Sequence, residues 1–425
     1  MLSSHNGQMQ SSGPGLVLDR KNSSINEGLD PIDCMDEVTR ILTQEAYSHR
    51  IESLPGVSRH DGAQLASNSP CEDRHVCGQL LVPWDSKPWL AWAVFDGHAG
   101  WQTAQLLSEE MLPYVQRGLS QLQPDSPDVI PDDNAIHRAI MEAFTDLDDS
   151  IINTAHITSQ IELPLHQKMR KLLPAFSGSC ALLSVYDPSG RKLHVACTGD
   201  CRAVHGCKEV DGKWQAVPLS VDQSGSNEEE IARINQEHPG EEDISQDGRM
   251  LGLMVSRAFG DGQWKWPLEL QEEFVKKFHG PAPLTHSYDV KTPPYLTAEP
   301  VVTTTTVDSE RPSFLILATD GLWENLTNEQ AVDLIGEWLK PRSPAGEGAA
   351  REPTYPPVHF GQLDEGVSSE FVAERTTVQD DNAAVHLMRN SLGGNHRELI
   401  AGRLAIGFPF SRYVRDDISA HVIFF

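Results

Sequence analysis

Short unbroken apolar runs alternate along this chain with longer stretches in which apolar residues return every three or four positions. The run at 89–95 is aromatic and β-branched and stops at a glycine, which predicts a buried strand. Behind it, 101–122 keeps Ala104, Leu107, Met111, Tyr114 or Val115, and Gly118 or Leu119 in phase, a helical period. The clearest helix is 132–155, where Ile136, Ala139 or Ile140, Ala143 or Phe144, Leu147 and Ile151 share a face. A further helix is predicted over 36–50, with Val38, Ile41, Leu42 and Ala46 on one side and Asp36 as N-cap. Runs at 180–186 and 192–197, joined by a turn at 187–190, predict a hairpin. A short helix is predicted at 228–237, its first acids Glu228 to Glu230 favouring the helix dipole. A buried strand follows at 314–318, then a capping box of Thr327 and Gln330 that opens a helix to 339. The C-terminal part reads as a helix at 381–389, a loop, and a last strand at 418–425.

Between these elements, 56–74 is polar and loop-like, 281–294 is a proline-rich connection, and 341–366 is a long surface insertion. Residues 1–33 are rich in Ser, Gly and Asn and are expected to form a disordered tail, leaving 34–425 as the folded unit. Strands and helices fall in segregated runs with no internal repeat, which favours an α+β layered domain over a doubly wound sheet.

Composition narrows the function classes. With 61 acidic against 34 basic residues the formal net charge is -27, which argues against nucleic acid or an anionic membrane as partner. No apolar run approaches the ~20 residues of a membrane span. The 7 cysteines (Cys34, Cys71, Cys77, Cys180, Cys197, Cys201 and Cys207) are odd in number and form no paired framework, which suggests reduced thiols. The spacing of Cys197, Cys201 and Cys207 is not that of a zinc knuckle. The N-terminal stretch has Arg20 and Lys21 against Asp19, Glu27 and Asp30, unlike a mitochondrial presequence or a signal peptide.

Chemistry gathers where the apolar runs stop. Asp96-Gly97-His98 follows the first run, Gly199-Asp200 follows 193–197, and Asp320-Gly321 follows 314–318. An isolated Asp-Gly is ordinarily a turn. Its recurrence at run ends, with Glu72, Asp73 and Asp416 in adjoining loops, suits hard divalent cations held by oxygen. Two such ions about 3.5–4 Å apart hold a bridging water and neutralise a phosphoryl group. His98 lies two residues past Asp96, where it could donate a proton to a leaving alkoxide. By spacing alone the acids suit either such a site or an ordinary solvated surface.

Five motifs in order carry a resemblance: Val94-Phe95-Asp96-Gly97-His98-Ala99-Gly100, Gly199-Asp200-Cys201-Arg202, Ser256-Arg257-Ala258-Phe259-Gly260-Asp261, Asp320-Gly321-Leu322-Trp323 and Arg415-Asp416-Asp417-Ile418-Ser419. Together they resemble the metal-dependent type 2C (PPM) serine/threonine protein phosphatases. Asn68-Ser69-Pro70-Cys71-Glu72-Asp73-Arg74, Arg249 to Leu253, Trp264-Lys265-Trp266 and Pro293 to Pro300 are similar to the pyruvate dehydrogenase phosphatase branch. The resemblance implies a four-layer sandwich of two antiparallel β-sheets flanked by α-helices. It implies two Mg2+ or Mn2+ ions with a third, weaker metal, and attack on phosphoserine or phosphothreonine by a metal-bridging hydroxide. Carried over by position, Asp96 would bridge the metals and the Gly97 carbonyl would bind one of them. Glu72 and Asp73 would flank the first metal, Asp320 and Asp416 would hold the other, Asp200 would support the third, and His98 would be the general acid. Neither Cys71 nor Cys201 has an arginine at the spacing of a Cys-x5-Arg signature, which agrees with a reaction that forms no phosphoenzyme.

The implied partner is a phosphoprotein, with the phosphorylated pyruvate dehydrogenase E1 component as leading candidate. The implied location is the mitochondrion; a cytoplasmic paralogue is the alternative that the N-terminal composition leaves open. Most type 2C enzymes place a phosphate-binding arginine where this chain has Asn68, which can hydrogen-bond a phosphate oxygen but brings no charge. Cys201 replaces a serine, a near-isosteric change. Arg257 and Asp261 read as a structural ion pair, Trp264 and Trp266 as packing, and His137 and His156 as surface or satisfied core histidines. A pseudophosphatase that binds phosphoproteins without turnover should lack a metal carboxylate, and none is missing. Another two-metal hydrolase, such as a nuclease, is opposed by the charge and the motif order.

Overall fold

The computed structural model describes residues 34–51, 56–122, 131–241, 243–341, 355 and 371–425. Two antiparallel sheets face each other. The first is built, in spatial order, from Tyr47–Arg50 (β1), Arg59–Leu65 (β2), Ile418–Phe424 (β14), Ser313–Ala318 (β13), Arg202–Lys208 (β7) and Trp214–Pro218 (β8). The second runs Val301–Thr306 (β12), Lys192–Thr198 (β6), Gly178–Asp187 (β5), Trp89–His98 (β4) and Arg74–Leu80 (β3), with Phe259–Gly260 (β11) paired to β5. Ser245–Gln246 (β9) and Arg249–Met250 (β10) form a small separate ribbon.

Helices cover both outer faces. Gln102–Gln121 (α2), Asp133–Gln160 (α3) and Leu165–Phe176 (α4) pack on the second sheet. Cys34–Thr43 (α1), Asp320–Trp323 (α8), Asn328–Trp338 (α9), Ala383–Ser391 (α10) and Arg397–Ala405 (α11) pack on the first. Glu228–Glu237 (α5), Gly262–Lys265 (α6) and Leu268–Phe278 (α7) lie between β8 and β12 in sequence; Ile234 of α5 joins a satellite core with Leu251 and Tyr295. The expected four-layer arrangement is the one observed.

The unbroken apolar runs follow from this layering. In β4, Ala91, Ala93 and Phe95 pack against the helices, while Leu90, Trp92 and Val94 face the other sheet. In β13, Phe314, Ile316 and Ala318 face the helices, and Leu315 and Leu317 enter the sandwich. A strand buried on both faces has no polar alternation to show. Among the described residues, no helix is long and apolar enough to cross a membrane.

Three expectations change. The helix predicted over 36–50 ends at Thr43, and Tyr47–Arg50 is strand β1, paired with Gly62 to Arg59 of β2. The loop predicted over 56–74 contains β2, whose His60 and Asp61 are buried. Asp61 is offset by the Arg59 guanidinium at 2.7 Å and the Ala383 N–H at 2.7 Å, so polar residues hide a central strand. The predicted C-terminal loop contains α11. The 1–33 tail and, apart from Pro341 and Tyr355, the 341–366 insertion lie outside the described residues.

The expected Arg257–Asp261 pair is not formed. Arg257 instead forks onto Glu230, with Nε 3.0 Å from Oε2 and Nη2 2.7 Å from Oε1, and Arg233 adds a contact at 2.8 Å. Glu230 is thus more than an acid at a helix start: it ties α5 to the segment before β11. Burial opposes its charge, but the two arginines win and hold its carboxyl down at about 2. A carboxyl depressed in the folded state adds stability above its unfolded pKa of ~4.3 and loses it as pH falls toward the folded value. Glu230→Gln is therefore expected to cost about 3 kcal/mol at pH 7. In urea unfolding, the gap to the wild type should close between pH 5 and about pH 2.

Candidate active site

Each predicted site residue lies where a strand ends or is about to begin. Asp96, Gly97 and His98 close β4 opposite Cys180, Ser179 and Gly178 of β5. Asp200 sits in the link from β6 to β7, and Asp320 opens α8 straight after β13. Asp73 immediately precedes β3, and Asp416 precedes β14. Antiparallel pairing of β13 with both β7 and β14, at Ala318↔Arg202 and Ala318↔Ala420, brings three of these chain segments to one end of the first sheet.

The carboxylates converge. Oxygens of Asp96, Asp200 and Asp320 lie within 4.8 Å of one another, and so do those of Asp320, Glu324 and Asp416. Asp320 belongs to both groups, whereas the sequence reading gave the bridging position to Asp96. Asp73 is buried beside them, and its Oδ2 accepts from Thr319 Oγ1 at 2.9 Å. Glu72 is half-buried in the loop from β2 to β3. The backbone of that loop presses on β4: a Cβ added at Gly97 would meet the Glu72 carbonyl oxygen at 2.3 Å, so only glycine fits. Gly321 is hemmed in likewise by the Asp417 carbonyl oxygen at 2.2 Å.

Like charges in a shielded place resist ionising. Burial first, then Asp320, Asp73 and Asp200, drive the Asp96 carboxyl well above the ordinary range. Asp73 is raised by burial and then by Asp417. Asp200 is pushed up to about 7 by burial and by Asp320. An all-oxygen set of this kind, short of positive charge, fits Mg2+ or Mn2+ and not a thiolate- or imidazole-seeking ion.

His98 is set apart from the carboxylates by a partner of its own. Its Nε2 lies 2.7 Å from Asp261 Oδ2, and Asp261 is buried. Burial alone would lower the imidazole pKa, but the charge and hydrogen bond of Asp261 carry it above the ordinary value. A side chain at Gly178 would strike both groups, with a Cβ 2.2 Å from His98 Nε2 and 2.3 Å from Asp261 Oδ2.

Asn68 lies beside Glu72, but its amide is already engaged. Nδ2 donates to Asp417 Oδ2 at 3.0 Å and to Glu72 Oε2 at 3.3 Å. Asp417 also accepts from the N–H groups of Ser67, Asn68 (2.8 Å) and Glu72 (2.8 Å), and so clamps the 67–72 loop.

Sequence reasoning missed four members of this neighbourhood. Glu324 had a signal, since it stands one helical turn after Asp320. Asp417 was hidden in the Asp416-Asp417 doublet, and Arg412, which contacts Asp416, had no motif. Asp261 is 163 residues from His98, and nothing local marks the pair.

Comparison with known proteins agrees with this geometry. The sequence model of the family Protein phosphatase 2C matches residues 61–352. A protein phosphatase 2C homolog of Schizosaccharomyces pombe is 41% identical over 375 residues, covering 87% of this chain and 81% of that one. The mitochondrial pyruvate dehydrogenase (acetyl-transferring) phosphatase 1 of Saccharomyces cerevisiae is 35% identical over 414 residues, covering 90% and 71%. The human mitochondrial pyruvate dehydrogenase (acetyl-transferring) phosphatase 2 is 30% identical over 461 residues, covering 92% and 83%. This chain belongs to the protein phosphatase 2C family.

Proposed function

We propose that the chain is a Mg2+- or Mn2+-dependent phosphatase of phosphoserine and phosphothreonine in proteins, with residues 34–425 as its catalytic domain. The observation that carries this reading is the meeting of Asp96, Asp200 and Asp320 within 4.8 Å at the end of the sandwich. In it, Asp96 and the Gly97 carbonyl, with Glu72 and Asp73 on one side and Asp320 and Asp416 on the other, would hold two ions, and Asp200 would support a third. When bound, such ions acidify water to near neutrality and offset the charge of the phosphoryl oxygens.

The chain's own residues do the rest. The carboxylates fix the reacting centre at the rigid ends of strands, where a small displacement would be costly. His98, held by Asp261, keeps a proton for the departing serine oxygen, whose alkoxide is too basic to leave unaided. Asp261 acts through His98 and is a positioning residue. His98→Ala and Asp261→Asn are expected to lower kcat on a phosphoserine peptide by roughly 10²-fold. With p-nitrophenyl phosphate, whose leaving group needs no proton, kcat should stay within about 3-fold. Equal losses on both substrates would remove the proton-donor role.

The substrate reading rests on the names of the relatives, two of which are pyruvate dehydrogenase phosphatases of mitochondria. The phosphorylated pyruvate dehydrogenase E1 component, and a mitochondrial location, are the corresponding proposals here. The deciding assay is phosphate release from a phosphoserine peptide with Mn2+, Mg2+ or EDTA, followed by phosphorylated E1 against an unrelated phosphoprotein. Folded protein without turnover in either metal would replace the phosphatase with a phosphoprotein-binding role. Equal rates on both proteins would remove the E1 preference.

A further inference from the structure

A phosphate dianion approaching a cluster of carboxylates needs positive charge beyond the metals, and a forked guanidinium suits it. Position 68 offers none, and the two N–H bonds of the Asn68 amide already point to Asp417 and Glu72.

Arg412 lies in the turn that precedes β14. It belongs to a turn of 3-10 helix, Phe410–Tyr413, that is pinned against the Asn68 loop. Ser411 Oγ donates to the Ser67 carbonyl at 2.6 Å, and Ser67 Oγ donates to the Arg415 carbonyl at 2.8 Å. Arg412 therefore neighbours a residue bonded to the neighbour of Asn68. Its Nη1 contacts Asp416, and its side chain remains 45% exposed. Its Nε and Nη2 have no hydrogen-bond partner among the described residues.

We infer that Arg412 is the phosphate-binding cation of this site, taking the substrate phosphoryl group through the guanidinium N–H groups not committed to Asp416. The inference rests on the phosphatase reading above and names the residue that gives the site its affinity for the phosphate. It makes the guanidinium arrive from the turn before β14 and not from the loop before β3. The same contact with Asp416 would allow a rival role in which Arg412 merely holds a metal carboxylate in place. The two roles differ in sign. A cation beside a metal site opposes metal binding, so its loss should tighten Mn2+ or leave it unchanged, whereas loss of a support should weaken it.

The test uses the full chain with Mn2+ and four variants: Arg412→Ala, Arg412→Lys, Asn68→Arg, and Asn68→Arg with Arg412→Ala. Arg412→Ala is expected to raise KM for a phosphoserine peptide roughly 10- to 100-fold, with kcat within about 3-fold. Arg412→Lys should recover part of the loss, and Asn68→Arg on the Arg412→Ala background should lower KM again by about 10-fold. Calorimetry should show Mn2+ affinity unchanged or up to about 3-fold tighter in Arg412→Ala, and inorganic phosphate bound at least 10-fold more weakly to the Mn2+-loaded protein. Unchanged phosphate affinity, weakened Mn2+ binding, or no recovery by Asn68→Arg would overturn the inference. The phosphate titration does not need turnover. If the wild type binds phosphate but releases none from the peptide, the enzyme reading fails while Arg412 is still decided; if it binds no phosphate, both fall.

Discussion

Asp96→Asn is expected to abolish metal-dependent turnover of a phosphoserine peptide, with kcat/KM falling ~10³-fold or more in Mn2+. A fall of 10³ corresponds to about 4 kcal/mol of lost transition-state stabilisation, the scale of effect when a metal-held charge is displaced. Amide oxygen is a poorer ligand than carboxylate for a hard dication, and Asp96 shares its 4.8 Å group with Asp200 and Asp320. The same substitution should stabilise the metal-free chain. Asp96 is disfavoured as an anion by burial and by Asp320, Asp73 and Asp200, so removing its charge relieves repulsion that the fold otherwise tolerates for function. In EDTA, thermal unfolding of Asp96→Asn is therefore expected a few degrees above the wild type. In Mn2+ the order should reverse, since only the wild type gains from binding. A variant that keeps wild-type kcat/KM in Mn2+ would sink the metal reading of this cluster. A variant inactive because it is unfolded would be recognised by its melting curve.

The second large effect is on stability and lies far from the chemistry. Arg389 of α10 is fully buried and grips Asp380 with two bonds, Nε to Oδ2 at 2.7 Å and Nη2 to Oδ1 at 2.8 Å. Nη2 also donates to Thr39 Oγ1 of α1 at 2.9 Å, so one side chain joins helices from opposite ends of the chain. Removing one partner of a buried pair costs about 3–5 kcal/mol. Arg389→Ala should lose that much in urea unfolding, and Arg389→Met nearly as much, because the methionine refills volume but leaves the carboxylate without its bidentate partner. Adding Asp380→Asn to Arg389→Met should return about 1 kcal/mol or more, since the carboxylate that has lost its bidentate partner is then no longer charged. A loss in Arg389→Ala that Arg389→Met fully repairs would point to packing and not to charge.

What was legible in advance divides along the range of the interactions. The sequence by itself determined the elements whose signal is local. Strands β4 and β13 are apolar on both faces, α3 keeps one apolar stripe with Asp132 as its cap, and the capping box of Thr327 and Gln330 opens α9 as expected. It also marked the acids at strand ends, because a glycine beside each carboxylate is needed where backbones close in, as at Gly97 and Gly321. Only the tertiary structure decided what pairs with what. β1 and β2 are strands because they pair with each other and β2 pairs with β14, and no periodicity of their own announces it. Asp261 belongs to His98 and Arg257 to Glu230, across 163 and 27 residues, because loops fold back over the sheet ends. Asn68 is spent on Asp417, and Arg412 contacts Asp416, for the same reason. Charge partners in a folded protein are chosen by distance in space, where a few ångströms govern the energy, and sequence separation carries no record of that distance.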